Sequence, residues 1–221
     1  MTEAIESLID CLRLDRVPPK WIADGFASTR KLGSWLKSLQ YRIDQYKIFA
    51  DDSTTIPKVV FINRLFNPLS YLTAIKQVHA QANKSELDKL IIETNMTSID
   101  LRNGVDNLNL PKDGYPIYGM HLQGCRWDDE GKFLDDSKPR EDYCVLPVIN
   151  CKVLDNTAAK LEENKSLYFC PVYKTIQRDI SYVFTAQFKT KASAPPAKWI
   201  IAGVACILDV EKTDAINKYP K

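Results

Sequence analysis

The sequence predicts an α+β protein, with an N-terminal helical segment followed by a small antiparallel six-stranded β-barrel. Three observations carry that prediction. Apolar residues in the first half recur at intervals of three and four. The second half holds six runs rich in β-branched and aromatic residues, separated by turn residues. Helices first and strands second is the order of an α+β fold, not of an alternating α/β one. Six strands close in sequence curl towards a barrel, which limits exposed edges. The boundary falls near residue 100, giving a helical subdomain over 1–100 and a β-barrel subdomain over 101–221.

A first helix is expected around Glu3 to Leu14, ending ahead of Pro18-Pro19. From Arg30 to Ala50, Leu32, Trp35, Leu36, Leu39, Ile43, Tyr46 and Ala50 form one stripe. Ser34, Lys37, Gln40, Asp44 and Lys47 occupy the other side, the pattern of an amphipathic helix. Asn67-Pro68 reads as a helix start, because Asn offers a capping oxygen and Pro tolerates the first helical position. Leu72, Ile75, Val78, His79 and Ala82 mark the buried stripe expected to follow. The strand candidates are Leu90–Ile99, Tyr115–Trp127, Tyr143–Val153, Leu167–Ile176, Ile180–Phe188 and Trp199–Val210. Lys112-Asp113-Gly114 and Ala194-Pro195-Pro196 supply turns between them.

Thirty basic against 28 acidic residues leave a formal net charge of +2, so no general field attracts nucleic acid or anionic lipid. The first ten residues, MTEAIESLID, lack the basic and apolar regions of a secretory signal. Trp199–Leu208 is the longest apolar stretch, about half of what a membrane-spanning helix needs. The expectation is a soluble cytoplasmic protein with no nucleic-acid or membrane partner. Its cysteines, at 11, 125, 144, 151, 170 and 206, form no C-x-x-C pair and are expected to be reduced and mostly buried.

The candidate chemistry is sparse. Gly119 to Gly124, followed by Cys125-Arg126, has the spacing of a phosphate-binding P-loop but lacks its Lys-Ser/Thr, and it reads as strand. The bland reading is two glycines that relieve crowding or mark a bulge. His79 and His121 are the two histidines, so a Cys-His or Ser-His-Asp enzyme has little choice of base. Cys170, beside Pro171, Tyr173, Lys174 and Arg178, is either a nucleophile with activating charges or a buried strand residue. The His and Cys residues are scattered singly, which gives no zinc site. Asp128-Asp129-Glu130 with Asp135-Asp136 lacks the spacing of a calcium loop. Arg126-Trp127-Asp128 fits a strand end, with a buried indole and an Asp that caps the turn and pairs with a guanidinium.

Gly114-Tyr-Pro-Ile-Tyr-Gly119-Met-His-Leu-Gln-Gly124-Cys-Arg126-Trp127-Asp128 resembles the DG-V-Y-I-x-G-L-x-L-E-G-A-R-W-D segment of dynein heavy chains. Cys170-Pro171-Val172-Tyr173-Lys174-Thr175, with Arg178 after it, matches that family's C-P-V-Y-K-T-x-x-R unchanged. Val17–Trp21, Leu32–Trp35, Phe66-Asn67-Pro68 with Leu72-Thr73-Ala74, and Trp199-Ile200 with Gly203–Ala205 follow in the family's order. The chain departs from the family's aromatic-rich pattern at Val60–Pro68, and has Ala80-Gln81 where the family has Ala-Arg.

The resemblance implies the C-terminal domain of a dynein heavy chain, of the axonemal branch. It implies a helical segment and small barrel lying across an AAA+ ring, within an ATP-driven motor that moves toward microtubule minus ends. The domain would hold no nucleotide site and no cofactor; ATP and magnesium would belong to the parent motor. Microtubules and other dynein subunits would be met only through the full motor, in cytoplasm and cytoskeleton and, for this branch, in the ciliary or flagellar axoneme. The signature residues would then be structural: Trp35, Pro68, Gly119, Gly124, Arg126, Trp127, Asp128, Cys170, Pro171, Tyr173, Lys174, Arg178, Trp199 and Gly203. The competing readings are a free-standing β-barrel that binds a small ligand and, third, a cysteine-dependent hydrolase.

Overall fold

The computed structural model describes residues 3–54, 56–101, 109–155 and 166–210. The last eleven positions expected in the barrel subdomain therefore lie outside the described residues. Five α-helices are present among them: α1 (Glu3–Arg13), α2 (Pro19–Asp24), α3 (Leu32–Asp51), α4 (Pro68–Asn83) and α5 (Pro196–Ile201). Asn67 caps α4 as its sequence suggests, its side chain accepting from the Ser70 N–H, with Pro68 in the first turn. The stretch from Pro18, expected to be only a break, opens α2, because Pro suits a helix start.

The strands do not close into a six-stranded antiparallel barrel. They form two mixed sheets and a separate hairpin. The first sheet runs β1 (Val60–Phe61), β3 (Tyr115–Tyr118), β8 (Ile149–Asp155) and β2 (Leu90–Met96), with β1 and β3 parallel. The second runs β10 (Tyr182–Lys189), β9 (Leu167–Tyr173), β11 (Ala205–Ile207), β4 (His121–Gln123) and β7 (Tyr143–Val145), with β9 and β11 parallel. β5 (Arg126–Asp128) and β6 (Phe133–Asp135) pair only with each other.

The physical reason lies in how the long strand candidates break. Tyr115–Trp127 divides at Gly119 (φ +99°) and Gly124 (φ +87°) into β3, β4 and β5, which belong to three different sheets. Tyr143–Val153 likewise divides into β7 and β8, one in each large sheet. Strands that switch sheets at such bends make corners rather than continuous staves. Across the remaining gap, the Thr94 hydroxyl of β2 accepts from the Gln187 N–H of β10 at 2.6 Å, and no backbone ladder joins the two strands.

Trp199–Val210, expected as one strand, is helix α5, a turn at Gly203 (φ +64°) and then β11. The main core fills the space between the two sheets, with Leu72 and Ile75 from α4 and Trp199 from α5. Val78 and Ala82 of the expected α4 stripe are exposed instead. A smaller core of Val17, Phe26 and Trp35 holds the first helices together. Of the apolar stripe expected on α3, only Trp35 is buried; Arg42 and Gln45 are the other buried residues of that helix. Among the described residues, no helix is long and apolar enough to cross a membrane.

Candidate functional site

Three signature segments, far apart in the sequence, converge at one end of the second sheet. Arg178 lies in the β9–β10 turn with φ +58°. Its Nη1 donates to the Gly203 carbonyl oxygen at 2.7 Å and its Nη2 to Gln123 Oε1 at 2.6 Å. One guanidinium thus fixes the end of β4, the turn before β11 and its own turn. Gly124 packs beside Val204, whose Cγ2 would lie 3.4 Å from an added Cβ. The Val204 carbonyl oxygen accepts from the Tyr168 hydroxyl at 2.6 Å.

Cys170 sits in mid-strand on β9, wholly buried, with Val172 on the same buried face. Its Sγ lies 3.7 Å from Cys206 Sγ on β11. The β9–β11 ladder begins only at Val172, the residue after Pro171, which has no N–H to offer. Tyr173 ends β9, and Lys174 follows with its backbone bonded to Ser181 and Asp209. The setting is that of a structural cysteine: its sulfur meets another thiol and a backbone oxygen, not a base. Burial raises the thiol values of Cys125 and of Cys206, the neighbour of Cys170.

Among the described residues, the histidines lie away from Cys170 in hydrogen bonding, and neither is bonded to its sulfur. His121 is 2% exposed, and its Nδ1 meets the Ile207 carbonyl oxygen at 3.2 Å. Burial pushes it down to about 4. His79 is half-buried on α4, its carbonyl oxygen accepting from Asn83.

Trp35 stacks on Phe26, with ring centroids 5.0 Å apart. Trp127 and Trp199 are buried at 4% and 1% exposure. Asp128 caps the β5–β6 turn, its Oδ2 accepting from the Gly131 N–H at 3.1 Å. The expected guanidinium partner for Asp128 is not found among the described residues, and Arg126 keeps its buried Nε unpartnered. Gly119 holds open a close approach, since an added Cβ would lie 2.2 Å from Asn63 Oδ1. The near-P-loop segment from Gly119 to Arg126 is strand and corner throughout, not the strand-to-helix turn that phosphate binding requires. Among the described residues, no group of three or more His, Cys, Asp and Glu could hold a metal ion.

Sequence reasoning missed two buried polar residues of α3. Gln45 pairs with both backbone groups of Phe61, accepting from its N–H at 2.9 Å and donating to its carbonyl oxygen at 3.1 Å. Arg42 donates to the Leu65 carbonyl oxygen at 2.6 Å and lies 3.9 Å over the Phe26 ring. Their spacing was the available signal, with Arg42 seven residues after Trp35 and Gln45 three after Arg42, on one side of the helix.

The signature segments thus meet in a helical segment set against two mixed sheets, with Arg178, just after C-P-V-Y-K-T, joining Gln123 and Gly203. The family model of the C-terminal domain of dynein heavy chains matches residues 1–208, and the protein belongs to that family. It is 41% identical over 211 residues to a flagellar outer arm dynein beta chain of Chlamydomonas reinhardtii. It is 34% identical over 210 residues to human dynein axonemal heavy chain 9, and equally to a ciliary dynein beta chain of Tripneustes gratilla. Each match spans 95% of this protein and 4% of the relative. The sequence thus corresponds to a small part of the length of these axonemal and ciliary relatives.

Proposed function

We propose that this protein is the non-catalytic regulatory and structural C-terminal domain of an axonemal dynein heavy chain. It packs on the AAA+ ring of an ATP-driven motor that moves toward microtubule minus ends. The observation that carries this reading is the apolar surface left on the helical segment. Helix α1 buries no residue at all, although Ile5 and Leu12 lie among its charges. On α3, Leu36, Ile43, Tyr46 and Ile48 are 38–57% exposed while Arg42 is inside. A helix that leaves apolar residues outward is suited to a further body.

In this reading ATP and magnesium belong to the motor modules, and microtubules and accessory subunits are reached through them. The domain resides with the motor in cytoplasm and cytoskeleton, and in the axoneme of a cilium or flagellum. A rigid body touching several modules alters a cycle only if its contacts differ between ring states. The test compares the heavy chain with and without residues 1–221 in ATPase assays and single-molecule traces under load. The expected result is intact nucleotide binding with altered microtubule-stimulated turnover, stepping or stall force. Identical behaviour of the two motors would overturn the regulatory role. The free-standing ligand-binding barrel is not favoured, because the space between the sheets is filled by the protein's own side chains.

A further inference from the structure

The loop between α2 and α3 carries a serine at a charged junction. Residues 26–29 have no regular structure, with Ala27 and Thr29 exposed and Ser28 half-buried. The Ser28 hydroxyl donates to Asp209 Oδ2 and accepts from the Arg30 N–H at 3.1 Å. Arg30 Nε holds the other oxygen of the same carboxylate, and its Nη2 reaches the Val210 carbonyl oxygen at 2.9 Å. Asp209 is itself fixed to the second sheet, its N–H donating to the Lys174 carbonyl oxygen at 2.9 Å. One hydroxyl proton and one guanidinium thus tie the helical segment to the chain just after β11.

Ser28 and Thr29 are the only serine and threonine of the sequence with a basic residue two positions later, Arg30 and Lys31. Charge placed close after the hydroxyl is a pattern by which kinases choose substrates. Cavities flank the Ser28–Asp209 contact. One of about 300 Å³ touches Ala27 and Asp209, and one of about 350 Å³ touches Thr29, Asp209 and Val210. A phosphoryl group therefore has room beside the loop. Asp209 also acts electrostatically on Arg42, so the carboxylate keeps a cation nearby when Arg30 leaves it.

We propose that Ser28 is a phosphorylation site for a protein serine kinase that reads the basic residues after it, and that the phosphate releases the loop from Asp209. In the transfer, Ser28 Oγ attacks the γ-phosphorus of ATP. The Oγ–P bond forms, the bond to the bridging oxygen of ADP breaks, and the kinase takes the hydroxyl proton. The product carries a charge of about −1.5 to −2 and has lost the donor that met Asp209. Carboxylate and phosphate repel each other and compete for the Arg30 guanidinium. The phosphate has the advantage, because it is two residues from Arg30 and already has the Arg30 N–H on its bridging oxygen. A tie across 179 positions becomes a local one, and the loop parts from the end of the second sheet. The switch lies within the domain and operates with or without a motor ring.

The experiment incubates the folded 221-residue protein with Mg-ATP and protein kinase C, a serine kinase that favours basic sequences, and maps the product by mass spectrometry. Phosphate on Ser28 is expected in the native sequence and equally in Thr29→Ala. Amide exchange then compares the phosphorylated protein with the unmodified one and with Ser28→Ala, which loses the hydrogen bond but gains no charge. The Asp209 amide should exchange roughly tenfold or more faster in the phosphorylated protein, against less than about threefold in Ser28→Ala. The Arg30 Nε–H signal should shift with the phosphate, and a phosphatase should restore both readouts. The site is overturned if Ser28 of the folded protein takes up no phosphate, whether Thr29 or nothing is modified. The switch is overturned if the phosphate leaves Asp209 exchange and the Arg30 signal unchanged, or if Ser28→Ala changes them as much.

Discussion

His121 enters the core with Nδ1 against the Ile207 carbonyl oxygen and Nε2 without a partner. Burial is the main cause of its low value, and nearby Arg30 acts in the same direction. Unfolded, the ring titrates near its ordinary 6.5; folded, it titrates near 4. Between those values the unfolded protein holds a proton that the native protein lacks. Stability therefore falls as pH drops through that window, by up to about 3 kcal/mol, and is unaffected by this group above it. Urea midpoints measured from pH 4 to pH 7 should show this loss in the native sequence and a shallower one in His121→Asn. Equal slopes in the two would show that His121 does not carry the effect. The thiols give a second check at this scale. Burial pushes Cys151 up to about 12 and raises Cys144 as well, whereas Cys11 is partly exposed on α1. A thiol reagent should label Cys11 in the native protein and the other five only after unfolding. Rapid native labelling of Cys170 would restore the reading of C-P-V-Y-K-T as a nucleophile motif.

Among the elements, the corners matter more than the strands they join. Gly119 is required twice, by its φ of +99° and by the Asn63 amide lying where a Cβ would go. Gly119→Ala should cost several kcal/mol, roughly 2–4. Adding Asn63→Ala should recover the steric part but not the backbone part, a coupling that a double-mutant cycle in urea would measure. Strict additivity would mean that the two residues do not meet. These corners also explain what the sequence could and could not show. Helices α1 and α3, the Asn67-Pro68 start of α4 and the centres of most strands follow from local periodicity and capping. β1 and β6 are too short to leave a pattern. The division of Tyr115–Trp127 among three sheets depends on partners distant in the sequence. Helix α5 was within reach, since Pro196 and Gly203 stand at the positions where Pro begins a helix and Gly follows one. The meeting of Arg178, Gln123 and Gly203 was not, because these residues lie 25 and 55 positions apart and meet only through the pairing of distant strands.

For the whole molecule, the outward stripe of α3 separates self-stability from assembly. Leu36→Lys with Ile43→Glu changes residues that are 45% and 39% exposed. The stability of the isolated domain should move by no more than about 0.5 kcal/mol per site. In the heavy chain the same pair should alter microtubule-stimulated turnover as deletion of the domain does. A large loss of stability in the isolated domain would mean that the stripe serves the domain's own core. On its inner side α3 is joined to the segment that follows it through polar groups, Gln45 on Phe61 and Arg42 on Leu65. That is why a hydrophobic pattern alone found the Trp35, Leu32 and Leu39 contact but missed the polar part of the inner face.

The contact between Arg30 and Asp209, with Arg30 Nη2 also donating to the Val210 carbonyl oxygen, joins positions 180 residues apart. During synthesis at about 5–20 residues per second, Ser28 and Arg30 leave the ribosome roughly 10–35 s before the carboxylate that they bind. The loop between α2 and α3 therefore spends that interval without its anchor. The tie of that loop to Asp209 and Val210 can form only once the residues after β11 have been made, whatever the core of Val17, Phe26 and Trp35 has already fixed.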